Sequence, residues 1–412
     1  MRLKGVMMCV TAVSLILGGC GDKVQQKEEI TVNADTVKEE DQEAVKEENS
    51  YYEMEIPADE SETLTEAAVQ AAKSYQDILV QAKKNSGKEE VLSMDTVAAL
   101  VKKMGSQGYA ALDNRNRENM ENYQLVEKFL AGQEKKVDAA ISIYRIHDDG
   151  GMEKIDFTSD NTGAVTITST ILDWNKKQEP YVVDMVRYKA WKWEYTKKGY
   201  LFYERYIPEG MEADGTDAIR VLPLDEELRK MCEQYIEPIG YEGNNLFLVE
   251  WDESNFRQVN FNDLYDVLYR IDQGSLPDSA QYPEGIGSSE FEDLIEKYFS
   301  ISVEQLREQA GYNSGTGTYP WVQIAGSNTA VWTERIPEVV DSRDNGDGTL
   351  TLTVDVVSPQ LKNDRLFTHQ VTIRGAEDGD GFTYVSNTLE PGGQVPPYTP
   401  RTAERQQMME EP

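Results

Sequence analysis

The side chains best equipped for covalent or metal chemistry are scarce here: three cysteines and two histidines in 412 residues. A zinc site of the usual nitrogen and sulfur ligands has almost no material, and no His-Glu-x-x-His helix occurs. We expect no metal and no cofactor. His147 falls at a predicted turn and is read as solvated. His369 falls in a strand-like stretch and is read as packed or at an edge, not as a base. A serine nucleophile would have to recruit one of these two, and no Gly-x-Ser-x-Gly elbow presents one. Carboxylates are the opposite case. They number 74, so an acid pair for glycoside hydrolysis is available by composition, yet no spacing singles out two of them. Asp341-Ser342-Arg343-Asp344-Asn345-Gly346-Asp347-Gly348 has the carboxylates of a calcium loop without its alternating spacing or closing glutamate. It reads as a hairpin turn, and so does Glu377-Asp378-Gly379-Asp380-Gly381. We expect no catalytic residues.

Aromatic side chains are the remaining candidates. Trp191, Trp193 and Tyr195 alternate along one predicted strand face, with Tyr200 and Phe202 on the next strand. A row of rings stacks on sugars or grips a peptide; it also stabilises a sheet through cross-strand pairs. Trp191, Trp193 and Tyr195 are therefore the candidate binding residues, with core packing as their first reading.

The thiols divide by position. Arg2 and Lys4 precede an apolar run over residues 6–17, too short to span a membrane, which ends Leu17-Gly18-Gly19-Cys20. This resembles the lipobox of bacterial lipoproteins. The resemblance implies a signal peptide over 1–19, lipidation of the Cys20 thiol, and anchorage to the extracytoplasmic face of the cell membrane through that lipid. Cys9 would leave with the signal, so Cys232 has no partner for an internal disulfide. Its helical spacing with Leu228 and Tyr235 reads as a small buried apolar position. The exported chain also resembles uncharacterised lipoproteins of Gram-positive gut bacteria, in stretches such as Ala218-Ile219-Arg220-Val221-Leu222-Pro223-Leu224-Asp225. That likeness implies a location and no activity.

The formal net charge is −33, from 41 basic against 74 acidic residues. Phosphate backbones are repelled by such a chain, which excludes nucleic acid as a partner. Between Gly21 and Glu66 stand 16 acidic and 4 basic residues, a net of −12. Residues 20–60 are read as a disordered, self-repelling acidic linker.

These residues need elements to position them. Leu64 to Ala82 recur at helical spacing, Ser93 caps a second helix through Met104, and Met120 to Leu130 mark a third. The period then becomes two, with strands near 137–143, 152–157, 164–172, 181–188, 191–195 and 200–207. Short turns between them predict antiparallel pairing. Residues 61–210 thus read as helices followed by a meander. Residues 211–287 form a mixed connecting region, with a helix capped by Asp225 and a buried strand over 246–251. Residues 288–390 repeat the first order. Ser289 with Glu292 and Ser302 with Gln305 match capping boxes ahead of two helices, and strands follow near 320–325, 331–341, 349–357, 366–374 and 381–387. Residues 391–412 read as a loose tail. The fold class is α+β. The element order resembles cystatin-like and NTF2-like folds, which implies a curved sheet around a helix with a cone-shaped pocket.

The expectation for function is a lipid-anchored, non-catalytic binding or interaction module. Its partner would be an envelope protein, peptide or glycan, besides the membrane itself. An envelope hydrolase using paired carboxylates is the alternative. A transporter's solute-binding subunit fits less well, because it needs buried parallel strands alternating with helices.

Overall fold

The computed structural model of the chain describes residues 53–85, 91–208, 215–324, 334–376 and 381–402. The proposed signal, the Leu17-Gly18-Gly19-Cys20 box, most of the acidic linker, the Glu377 to Asp380 turn and residues 403–412 lie outside them.

The first helix is broken where one helix was expected. α1 (Ala58–Lys73) and α2 (Gln76–Asn85) are separated at Ser74-Tyr75. Ser74 Oγ donates to the Ala71 carbonyl at 2.6 Å, a local bond that competes with the helical ladder. Tyr75 turns fully inward, and its hydroxyl donates to the Gly150 carbonyl at 3.1 Å. α3 (Met94–Ser106) starts at Ser93, whose Oγ accepts the Thr96 N–H at 3.3 Å.

β1 (Ala110–Asp113) and α4 (Tyr123–Glu134) come next. All four residues of β1 are buried, so it shows no alternation and escaped the period-two reading. After the α4 crossover the chain enters β2 (Ala139–Ile146), which pairs with β1 in parallel, Ala110 opposite Ile143. β3 (Met152–Ser159), β4 (Val165–Trp174) and β5 (Pro180–Lys189) complete this sheet as the expected antiparallel meander, in the order β1-β2-β3-β4-β5.

The expected single meander then divides. The Ala190 N–H still donates to Val165 on β4, at 2.9 Å, but the next N–H, from Trp191, donates to Glu204 at 2.7 Å. Between these two residues the chain changes sheets. β6 (Lys192–Tyr195), β7 (Tyr200–Glu204) and β8 (Thr216–Arg220) form a separate antiparallel sheet. This sheet is a middle layer: Leu201 and Tyr203 pack with Phe129, Ile155 and Phe157, while Tyr200 and Phe202 pack with Ile336 and Val357.

α5 (Glu226–Tyr235), β9 (Trp251–Asp252), α6 (Phe261–Gln273), β10 (Ile286–Gly287), α7 (Ser288–Tyr298), α8 (Val303–Gln309) and β11 (Thr318–Tyr319) lead into the last sheet. That sheet comprises β12 (Ile336–Asp344), β13 (Thr349–Ser358), β14 (Asn363–Gly375) and β15 (Phe382–Leu389), with β9 at its edge. One core gathers residues from Cys232 to Tyr384, so it runs across position 287 without a break. The chain is an α+β protein with eight α-helices among the described residues.

Other local expectations changed for identifiable reasons. Over 246–251 the strand shrinks to its last residue. Asn244 Oδ1 accepts the Leu246 N–H at 3.1 Å and Trp251 Nε1 donates to the Leu246 carbonyl at 2.8 Å, which winds the segment into turns. The strand near 320–325 stops at Tyr319, and the one expected from 331 begins at Ile336. Ser302 and Gln305 form their reciprocal box. Ser289 and Glu292 do not: Gly287 takes the cap position, and Glu292 instead accepts from Arg307 Nε at 2.7 Å and the Tyr319 hydroxyl at 2.8 Å. The tail is pinned as far as Thr402. The Arg401 side chain is buried between Asp263 and Asp266 of α6, and its backbone N–H donates to Asp263 Oδ2 at 2.9 Å.

Candidate functional site

Four charged stretches far apart in sequence converge on one cleft of about 310 Å³. The first is the loop after β1. Asp113, itself buried, accepts the N–H groups of Arg115 at 3.0 Å and Glu118 at 2.7 Å, which folds the loop tightly and sets Arg115 and Arg117 at the cleft wall. The second is the end of α5, which supplies Glu237 and, past Gly240 at φ +61°, Tyr241 and Glu242. α6 adds Asp266 and Arg270 beside it, and the approach to β12 brings Glu334 and Arg335.

Two of the arginines sit in ion pairs and two on backbone carbonyls. Arg117 Nε stands 3.0 Å from Glu237 Oε2, and Arg115 Nη2 stands 2.7 Å from Asp148 Oδ2. Arg335 donates to the Tyr241 carbonyl and Arg270 to the Pro238 carbonyl, each at 3.3 Å. Asp266 pairs with Arg401 behind the wall and accepts the Ile324 N–H at 3.2 Å. Burial dominates the electrostatics: it pushes Glu237 up to about 6 against the pull of Arg117, and Asp266 up to about 6 against the pull of Arg401. Burial also draws Arg335 below the usual guanidinium range. Glu237 faces the cleft, whereas Asp266 is fully buried behind its wall, so a carboxyl held above its ordinary range by burial borders the space.

The aromatic candidates do not form one row. Trp193 packs edge-on against Phe129 and Phe157, with ring centroids 6.1 and 5.5 Å apart. Trp191 lies just before β6, is 44% exposed, and meets Tyr206 at 5.1 Å. Tyr195 is exposed at the far end of the strand. The change of sheets at Ala190-Trp191 is what separates them, placing Trp193 in a core and Trp191 at a bend. Cys20 lies outside the described residues.

The other reactive groups have structural partners. Cys232 is buried, donates to the Pro337 carbonyl at 3.3 Å, and has its thiol pushed up by burial. His369 is buried between Tyr241 and Asn387. In the Asp341 to Gly348 turn the carboxylates cap their own backbone: Asp344 accepts the Gly346 N–H at 2.8 Å and Asp347 the Thr349 N–H at 3.0 Å. A polar row across the first sheet seats α1. There Ser142 donates to Asp156 at 2.5 Å, and Arg187 donates to Thr168 at 2.9 Å while gripping Glu60 at 2.6 and 2.9 Å. Among the described residues no group of three His, Cys, Asp or Glu side chains is placed to hold a metal, and no helix is long and apolar enough to cross a membrane.

Sequence reasoning missed the cleft. Its residues sit in loops and helix ends with no motif; the one local cue is the pair of arginines flanking Asn116, two positions beyond a buried aspartate.

Fold and cleft together define an α+β protein with a mixed-charge cleft where its sheet assemblies meet. The chain belongs to the family of unknown function DUF6070, whose model matches residues 61–401, from the first helix to the buried Arg401. No curated protein and no solved structure matches it.

Proposed function

We propose that the chain is a lipid-anchored protein of the extracytoplasmic membrane face that works as a non-catalytic binding module, with the charged cleft as its ligand site. The observation that carries the binding role is the convergence of four arginines and four carboxylates on one cleft, with the Arg117–Glu237 pair among them open to exchange for a ligand's own charges. The Leu17-Gly18-Gly19-Cys20 box supports the anchor, and the 12 acidic residues between Gly21 and Pro57, ahead of α1, support a spacer. Metabolic labelling with a lipid precursor tests the anchor: wild type takes up label and Cys20→Ala does not. Label on the Cys20→Ala variant overturns it. A thermal-shift screen of peptides and glycan fragments tests the site, since ligands of the cleft stabilise wild type and lose that effect in Arg270→Gln.

The paired-carboxylate hydrolase keeps one observation in its favour, the elevation of Glu237 and Asp266 to about 6. Turnover of a screened ligand that is abolished in Glu237→Gln would establish it over the binding module.

A further inference from the structure

The cleft has an apolar annex. A second hollow of about 180 Å³ lies across the Arg115 and Arg117 side chains, which line both spaces. Its far wall is Val91, Leu92, Met94 and Val97, at the start of α3. Two of these are open to solvent, Val91 at 61% and Met94 at 40%. Exposed apolar side chains lining a concavity beside a guanidinium are an arrangement that a ligand completes.

Charge decides the ligand's class. Among the described residues around the two hollows, four guanidiniums meet seven carboxylates. A purely anionic ligand would face that excess, in a chain whose net charge is already −33. A purely cationic ligand would leave Arg115 unused. That side chain is half exposed and its ion pair among the described residues is one Nη2 contact to Asp148, which leaves further N–H donors of its fork for a carboxylate. The geometry points to a zwitterion bearing an apolar side chain, an apolar α-amino acid or a short peptide ending in one. Its carboxylate sits on Arg115, its ammonium faces the cleft acids, and its side chain fills the annex. This rests on the cleft being the ligand site and adds what the ligand is.

Calorimetry on the full chain tests it with four probes: leucine, the dipeptide Leu-Leu, leucinamide and N-acetyl-leucine. At least one of the first two binds, and the comparison between them tells free amino acid from peptide. Removing the carboxylate or the ammonium weakens binding by about tenfold or more. Arg115→Gln weakens the zwitterion to the level of leucinamide, and Met94→Asp weakens all four. Both substitutions are at exposed side chains, and unchanged melting temperatures confirm that the fold is intact. Equal binding of blocked and unblocked probes, insensitivity to Arg115→Gln, or no binding of any probe overturns the zwitterion. If the screen meanwhile yields another ligand that Arg270→Gln abolishes, the cleft stands and only its ligand class falls. If neither gives a signal, both fall.

Discussion

The Tyr241 hydroxyl and His369 Nε2 lie 2.8 Å apart, with both side chains buried. On the other side of the ring, Nδ1 faces Asn387 Oδ1 at 2.7 Å, while the Asn387 amide donates to the Val249 carbonyl at 2.7 Å. The amide's orientation fixes the tautomer: Nδ1 carries the proton and Nε2 accepts from the phenol. Tyr241 also lines the cleft, so it joins that surface to the neutral imidazole beneath.

A pH dependence follows from that pair. Burial lowers His369 from 6.5 to about 4. The unfolded chain therefore binds a proton that the folded chain refuses, so this group's stabilisation is complete above pH 6.5 and is lost as pH falls toward 4. The loss amounts to about 3 kcal/mol. Glu237 acts in the opposite sense. Its folded value near 6 exceeds its ordinary 4.5, so it favours folding below pH 4.5 and loses that contribution as pH rises through 6. Wild type should thus show a shallow profile between pH 4 and 6.5, and Glu237→Gln a steeper acid loss. Denaturant midpoints across that window check it; identical slopes would refute the assignment.

Trp193 and Trp191 should respond differently to truncation. Trp193→Ala removes a ring that packs on Phe129 and Phe157 and should cost about 3 kcal/mol. Trp191→Ala, at the exposed bend, should cost under about 1 kcal/mol. Urea melts of the two variants decide it, and equal losses would contradict the division between sheets.

Gly150 should resist replacement. Its φ is +85°, and a Cβ there would lie 2.3 Å from Leu79 Cδ1. Its carbonyl also receives the Tyr75 hydroxyl at 3.1 Å and the Trp174 indole N–H at 2.7 Å. Gly150→Ala should cost at least about 1–3 kcal/mol from the backbone alone. A melting temperature equal to that of wild type would show that the turn adapts freely.

Arg401→Ala should be among the most damaging substitutions. It strands two carboxylates of α6, Asp263 and Asp266, in a water-free setting. The expected loss is about 3–5 kcal/mol. The same change in an Asp266→Asn background should cost less, because one of the stranded charges is already gone. A double-mutant cycle by chemical denaturation measures the difference.

Much of this architecture was legible because its signals are local. Ala139, Ile141 and Ile143 on β2 and Leu350, Leu352 and Val354 on β13 alternate, and the Ser302 and Gln305 box fits within four residues. What stayed hidden depends on distant partners. β1 is too short and too buried to alternate, and the sheet change at Ala190-Trp191 shows only in where two consecutive N–H groups point. Arg401 looked like part of a loose tail because the aspartates it serves lie 138 and 135 positions earlier. The cleft was invisible for the same reason. Arg117 and Glu237 are unremarkable until the fold sets them 3.0 Å apart.

The Arg401 clasp also imposes an order in time. A chain emerges amino end first, from the ribosome or across a membrane, so α6 appears with two carboxylates whose shared cation follows 135 residues after Asp266. Until then, burying that helix face would mean burying unpaired charge, which holds the helix off its core. Closing the last assembly without unpaired buried charge therefore requires Arg401, made after all of its strands, to be in place.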